Sequence, residues 1–147
     1  MPTVQADIVI PASPEVVYRA AQDIEGLVEF LPDVEEIHVL SRDGPRVRSA
    51  WVGRVPEFHR NIRWTEEDEW VDAERLCRFR AVEGDWDRYE GVWTFADHPD
   101  GARVELVIDY EINVPLIGPL IKKLLQKLVQ RNAEEMLDAL KRRVGAG

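Results

Sequence analysis

The sequence has few of the residues on which most redox, metal and nucleophilic chemistry depends. It holds one cysteine, Cys77, and three histidines among 147 residues. A single cysteine has no partner for an internal disulfide, and no basic or apolar leader stands at the N-terminus, so we expect a cytoplasmic protein. The histidines, His38, His59 and His98, lack the spacing of metal ligands. We therefore expect neither a metal nor another cofactor.

Other absences narrow the class of protein further. The chain has no glycine-rich phosphate loop and no Walker lysine motif. Of its three serines, Ser13 is needed as a helix cap, which disfavours a serine nucleophile. No apolar run reaches the roughly 20 residues that span a bilayer. The net charge of −9 argues against a general nucleic-acid binder, and we expect no DNA partner.

The composition is typical of a globular protein. Hydrophobic residues make up 45% of the chain and charged residues 32%, which separates it from disordered sequences. The length is that of an ordinary domain. Because no linker, internal repeat or low-complexity tract divides the chain, we expect residues 1–147 to form a single domain.

The hydrophobic pattern predicts an α+β protein. Residues 3–10 alternate as a strand, and Ser13 and Asp23 then mark the starts of two short helices. Six further alternating segments lie between residues 34 and 112, separated by short turns, which predicts antiparallel pairing because parallel strands need long crossovers. Apolar residues at i, i+3, i+4 and i+7 predict a long amphipathic helix near Pro119–Arg143.

This order of elements resembles the START-like, or SRPBCC, superfamily. Residues 12–18 (Ala-Ser-Pro-Glu-Val-Val-Tyr) and 23–32 look like the opening of its polyketide cyclase/dehydrase and coenzyme Q-binding branch. The stretch Gly84-Asp85-Trp86, followed by Trp93-Thr94-Phe95, is similar to a strand motif of that branch. The resemblance implies a helix-grip fold, in which a curved seven-stranded antiparallel sheet wraps around the long helix. Val28 and Asp33 depart from the pattern near the expected mouth of its cavity.

The resemblance also implies a ligand cavity between the sheet and the helix. The side chains expected to line it are inward-phase strand residues and the apolar stripe of the helix: Trp51, Tyr89, Trp93, Tyr110, Leu124, Leu125, Leu128, Asn132 and Met136. The alternative is that the rings simply fill an ordinary core. Asn132 has two interpretations of its own, because it either lies near the helix edge or points its amide into the cavity.

One predicted strand carries an unexpected pair of acids. In residues 58–71, Ile62 and Trp64 share a phase that would also turn Glu66 and Asp68 toward the interior. We favour a β-bulge near residues 65–68 that shifts this register. The alternative is an acidic pocket wall, in which Glu66 and Asp68 are weak candidates for a general acid and base. No other catalytic residue is predicted.

The long helix also carries a basic face, formed by Lys122, Lys123, Lys127 and Arg131. We expect these cations to be paired with acids elsewhere in the strongly acidic chain. The functional alternative is a weak contact with an anionic membrane surface or with ribosomal RNA. The sequence does not indicate an oligomeric state.

Three functions remain open from the sequence. The preferred one is binding of a hydrophobic small molecule, such as a lipid, an isoprenoid quinone or a polyketide-like aromatic compound, in the cavity. The first alternative is an enzyme of the polyketide cyclase/dehydratase type, and the second is a ribosome-associated regulator. Both alternatives come from the resemblance rather than from a catalytic or RNA-binding motif.

Overall fold

The alternating segments fold as the seven strands of one curved antiparallel sheet. The computed structural model describes residues 2–55, 60–112 and 119–146. The strands are β1 (Thr3–Ile10), β2 (Val34–Asp43), β3 (Arg46–Val55), β4 (Arg60–Val71), β5 (Leu76–Gly84), β6 (Arg88–His98) and β7 (Gly101–Glu111). Their order across the sheet is β1-β7-β6-β5-β4-β3-β2. Consecutive strands from β2 to β7 are neighbours, so the predicted antiparallel meander is confirmed.

Two short helices follow β1, and a capping side chain starts each of them. Helix α1 spans Pro14–Gln22, and Ser13 Oγ accepts a hydrogen bond of 3.3 Å from a backbone N–H of its first turn. A 3-10 helix spans Ile24–Phe30, and Asp23 Oδ1 accepts a bond of 3.4 Å from its backbone. Both caps satisfy N–H groups that a helix start leaves unpaired, as the sequence predicted.

The long helix α2 spans Pro119–Ala146 and packs against one face of the sheet. Its buried stripe consists of Leu125, Val129, Ala133, Met136, Leu137, Ala139 and Leu140. These side chains belong to the same core cluster as the inward-facing residues of the strands. None of the helices described here is long and apolar enough to cross a membrane.

Strand β7 supplies the middle of the core. Ala102, Val104, Leu106, Ile108 and Tyr110 are all buried, at every second position of the strand. The residues between them point to the other face of the sheet, because strand side chains alternate. Hence β7, which lies between β1 and β6, turns a continuous row of buried side chains toward the core.

The register of β4 differs from the preferred sequence interpretation. β4 pairs with β3 without interruption from Glu69 to Arg60, so Glu66 and Asp68 keep the inward phase. The predicted bulge in residues 65–68 is therefore wrong. The extra residue lies instead in β5, where Val82 falls between two successive pairs with β4. Hydrogen bonds from Trp64 to Glu66 and between the two acids offset part of the cost of burying them, without a shift of β4.

Two arginines of α2 tie the helix to the segment around the 3-10 helix. Arg143 Nη2 donates to the carboxylate of Asp23, which precedes the 3-10 helix. Arg131 Nε donates over 3.2 Å to Oδ2 of Asp33, which follows it. Each pair is partly exposed and contributes at most about 1 kcal/mol, but together they fix α2 at two points along its length.

A glycine in β6 is required by close approach of its neighbours. Gly91 pairs with Phe79, and a Cβ atom at Gly91 would lie 1.9 Å from the carbonyl oxygen of Val107. We expect Gly91→Ala to lower the free energy of unfolding by about 1–3 kcal/mol through overpacking. This corresponds to a melting temperature lower by about 3–10 °C, measurable by circular dichroism.

The matched control is Gly145→Ala, because a Cβ atom at Gly145 meets nothing within 4 Å. This variant should melt at or slightly above the temperature of the parent protein, since alanine favours the helix. Equal melting temperatures for Gly91→Ala and the parent would show that the strands separate easily at this point, contrary to the expectation.

Candidate ligand-binding site

Among the described residues, two cavities lie between the sheet and α2. The inner cavity has a volume of about 30 Å³ and reaches from the 3-10 helix to Met136 and Leu140 of α2. The outer cavity has a volume of about 60 Å³ and lies under Leu125 and Leu128, nearer the start of the helix. Tyr89 lines both cavities and separates one from the other.

Seven of the nine predicted lining residues contact one cavity or both. Trp51, Trp93 and Met136 line the inner cavity, Leu125, Leu128 and Asn132 line the outer cavity, and Tyr89 lines both. The two exceptions are Tyr110, which is buried in the core beside Trp86, and Leu124, which lines neither space. Asn132 thus faces the cavity, the second of its two interpretations.

Four rings form a continuous aromatic wall, consisting of Trp51, Trp64, Tyr89 and Trp86. Trp51 and Trp64 are stacked, with centroids 5.7 Å apart and planes 14° from parallel. Trp64 contacts Tyr89 at 5.4 Å, and Tyr89 stacks on Trp86 at 4.9 Å. Such a wall presents flat apolar surface to whatever lies between the sheet and the helix.

Trp64 and Trp86 were not among the predicted site residues. Trp64 had a usable signal, because it shares the two-residue period of Ile62 and Trp70. Trp86 follows β5 in a turn, where no strand period indicates its direction. Its only signal was its place in the Gly84-Asp85-Trp86 motif.

A pair of carboxyl groups lies at the inner cavity. Glu66 and Asp68 project from the same face of β4, and their exposed fractions are only 5% and 4%. Trp64 Nε1 donates a hydrogen bond of 2.9 Å to Glu66 Oε1, and the two carboxyl groups also hydrogen-bond to each other. Asp68 Oδ1 has no hydrogen-bond partner among the described residues. We call Glu66 and Asp68 the carboxyl pair.

Burial determines the protonation of this pair. It raises the pKa of Glu66 well above its usual range, and the Asp68 charge and hydrogen bond raise it further, against the donated Trp64 N–H. Burial also raises the pKa of Asp68, to about 6, while the hydrogen bond with Glu66 opposes the shift. Near neutral pH the pair therefore shares one proton and carries one negative charge.

The other polar groups of the interior stay neutral. Burial, with the charges of the carboxyl pair, raises the pKa of Tyr89, whose hydroxyl is hydrogen-bonded to Asn132. Burial likewise raises the pKa of Cys77, which also lines the inner cavity. A protonated, buried thiol is a poor nucleophile, in agreement with the absence of a predicted role for this residue.

The outer cavity is bordered by charged side chains. Arg131, Asp33 and Arg54 line it, and Arg131 pairs with Asp33 and, at 3.9 Å, with Glu135. Burial, followed by the hydrogen bond and charge of Asp33, raises the pKa of Glu135 to about 7. Asp33, which departs from the family pattern, thus helps to link α2 to the segment before β2.

The basic face of α2 is only partly neutralised. The expected pairing with acids is confirmed for Arg131. Lys122, Lys123 and Lys127 are exposed, and within the described ranges no ion pair involves them. Contact of these lysines with a membrane surface or with ribosomal RNA stays a prediction.

Comparison with known proteins places this architecture in a family. The profile of the polyketide cyclase/dehydrase and lipid transport family matches residues 10–137, and the chain belongs to this family. No functionally curated protein matches the chain significantly. The predicted START-like membership and helix-grip fold are confirmed, and family membership supports binding of a hydrophobic ligand without naming one.

Several solved structures share the fold over nearly the whole chain. TTHA0849 from Thermus thermophilus is 47% identical, with a TM-score of 0.94 over 99% of this chain and 98% of its own. The Zhui aromatase/cyclase from Streptomyces sp. R1128 is 17% identical, with a TM-score of 0.87 over 97% and 93%. A START superfamily protein from Mycobacterium smegmatis is 20% identical, with a TM-score of 0.76 over 99% of both chains.

The carboxyl pair leads to a pH-dependent stability. Because the pKa of Asp68 is raised from 3.8 to about 6 on folding, its ionisation costs stability as pH rises from about 4 to about 6. Asp68→Asn removes that cost, so it should gain about 2 kcal/mol relative to the parent between pH 4 and pH 7.5. Urea unfolding at both pH values measures the change.

A constant offset between the two proteins, from altered hydrogen bonding, cancels in this difference. The control is Asp43→Asn, which removes one exposed carboxyl group at the end of β2. If Asp68→Asn and the parent kept the same difference at both pH values, Asp68 would not be buried as a charge, and the protonation assigned to the pair would be wrong.

Proposed function

We propose that the protein binds a flat hydrophobic small molecule between the sheet and α2: a lipid, an isoprenoid quinone or a polyketide-like aromatic compound. The observation that carries this proposal is the pair of adjoining cavities, about 30 and 60 Å³, on the two sides of Tyr89. Protein interiors normally pack to crystal-like density, and voids cost stability in proportion to their volume. We therefore interpret the two adjoining voids beneath α2 as space for a ligand.

The chemistry of the lining supports the same function. Most lining side chains are apolar or aromatic, with a few polar groups among them, which is the usual composition of a small-molecule site. Trp86 Nε1 is buried at the outer cavity and has no hydrogen-bond partner among the described residues. A ligand larger than either cavity needs Tyr89 to move aside, and side-chain rearrangements of this kind are common on binding.

The comparisons support a ligand of this class. The family description names both polyketide cyclisation and lipid transport, and the Zhui structure belongs to an aromatase/cyclase. Both activities involve largely apolar molecules. Lipids and ring-forming polyketides are thus the ligand classes to test first.

The carboxyl pair favours a second candidate function, a cyclase or dehydratase. Such an enzyme needs a base to remove a proton next to a carbonyl group and an acid to protonate the oxygen that leaves as water. Asp68 and Glu66 at the inner cavity hold the corresponding protonation states. Sharing one proton between two carboxyl groups is a common way to obtain both roles.

Single substitutions separate the enzyme from a pure binding protein. With a synthetic β-polyketone thioester as substrate, Glu66→Gln should reduce cyclised product by about 100-fold or more, because general acid catalysis contributes this much. Glu67→Gln, on the opposite face of the same strand, is the control and should keep full turnover. No product above the uncatalysed rate with the parent protein would leave binding as the function.

Filling the outer cavity tests the binding function directly. Leu128 is half-buried and lines this cavity, so Leu128→Trp should occupy the space with little loss of stability. The parent protein should bind the neutral probe N-phenyl-1-naphthylamine, and Leu128→Trp should weaken that binding by about ten-fold or more. Probe fluorescence and thermal unfolding are the two measurements.

The matched control is Leu40→Trp, the same change at an exposed leucine of β2. It should leave probe binding unaltered. In a fully packed core, Leu128→Trp would instead cost about 1–3 kcal/mol. A sharp loss of stability in Leu128→Trp, together with no probe binding by the parent, would contradict the proposed function.

A further inference from the structure

One oxygen of the carboxyl pair is left without a partner. Glu66 receives the Trp64 N–H and hydrogen-bonds to Asp68. Asp68 Oδ1 is buried, lines the inner cavity and has no hydrogen-bond partner among the described residues. Buried carboxylate oxygens in folded proteins are normally hydrogen-bonded, so an orphaned oxygen beside a cavity points to a donor that comes from outside the fold.

The described lining of the inner cavity supplies no positive charge to Asp68, whereas Arg46, Arg78 and Arg80, on the opposite face of the sheet, line a separate cavity that Asp68 also borders. Among the described residues that line the inner cavity there is no lysine, arginine or histidine. Strands β5 and β6 face the pair with Cys77 and Tyr89, both of which stay protonated. Of the described side chains of α2, Met136 and Leu140 line this cavity. A buried negative charge without a counter-ion attracts donors and repels a second anion strongly, because the interior screens charges poorly.

We infer that the ligand of the proposed function presents a neutral hydroxyl group to Asp68 Oδ1, and that ligands ending in a carboxylate are excluded. The inference rests on the proposed function and adds the chemistry of the buried end of the ligand. The aromatic wall and the acidic inner end together select an aromatic alcohol, that is a phenol-type compound, over a fatty acid.

The rings of Trp64 and Tyr89, at the boundary between the two cavities, determine how a ligand reaches Asp68. Trp64 lines the outer cavity, and its N–H is engaged with Glu66 at the inner cavity. Tyr89 lines both spaces. A flat ring that enters the outer cavity and displaces Tyr89 stacks against the tryptophans of the aromatic wall, with its hydroxyl directed at the carboxyl pair.

A water molecule is the competing donor. The inner cavity, at about 30 Å³, is large enough for one water, which would satisfy Asp68 Oδ1 equally well. In that case the buried end of the ligand would carry no preference for a hydroxyl group. Ligands that differ only in the hydroxyl group therefore distinguish donation by the ligand from donation by a water molecule.

The test uses three naphthalenes of nearly equal size in equilibrium dialysis at pH 7.5. They are 2-naphthol, which donates a hydrogen bond, 2-methoxynaphthalene, which does not, and 2-naphthoate, which is anionic. The parent protein should bind 2-naphthol at least about ten-fold more tightly than the ether, the usual value of a hydrogen bond to a buried charge. Binding of 2-naphthoate should be weaker still.

Two variants assign these preferences to Asp68. Asp68→Leu removes the acceptor and the charge, so naphthol and its ether should bind equally well. Asp68→Asn removes only the charge, so 2-naphthoate should gain about ten-fold relative to the parent. Glu67→Gln, which alters a carboxyl group on the opposite face of β4, should keep the preferences of the parent.

Each outcome has a definite meaning. Equal binding of naphthol and its ether by the parent protein overturns the inference, and so does a naphthol preference that survives Asp68→Leu. The parent comparison needs no variant, so it decides even if Asp68→Leu fails to fold. If N-phenyl-1-naphthylamine binds while the three naphthalenes are not distinguished, the inference fails and the proposed function stands. If neither the probe nor any naphthalene binds, both fail.

Discussion

The uninterrupted pairing of β4 with β3 is the constraint on which the interior depends. A strand in continuous register places every second side chain on the same face, whatever its polarity. Because β4 keeps that period from Glu69 to Arg60, its inner face carries two tryptophans and two acids together. The β-bulge lies in β5, at Val82, so the inward-facing side chains of β4 keep their positions.

The energetic consequences follow from that register. Burial disfavours both charges, and two buried carboxylates would also repel each other, so one takes up a proton and the pair becomes an acid hydrogen-bonded to an anion. Trp64 donates its N–H to Glu66 of the carboxyl pair, and its ring is part of the aromatic wall at the outer cavity. One side chain therefore contacts both the carboxyl pair and the aromatic wall. The carboxyl pair and Trp64 of the aromatic wall thus come from the same strand, and changes in β4 would alter both.

The sequence predicted the fold well because the fold depends on patterns that are visible locally. Alternation identified the strands, the caps at Ser13 and Asp23 located both short helices, and the apolar stripe identified α2. Inward phase also brought most of the predicted lining residues to the cavities. The failures were all matters of three-dimensional context. Trp86 lies in a turn, where no two-residue period indicates the direction of its side chain. Burial of Glu66 and Asp68 is costly without hydrogen-bond partners, and the sequence does not show which partners the fold brings to them.

Pairing of β1 with β7 has a consequence for how the protein acquires its structure. Thr3 contacts Asp109, 106 residues away, and Arg143 contacts Asp23, 120 residues away. Contacts so distant in sequence slow folding, because the chain loses the entropy of closing a long loop before the stabilising contacts form. On the ribosome, the meander from β2 to β7 emerges before the chain can enclose an interior. The cavities between the sheet and α2 are therefore the last part of the structure to form, and their apolar lining is exposed to solvent until α2 has been synthesised.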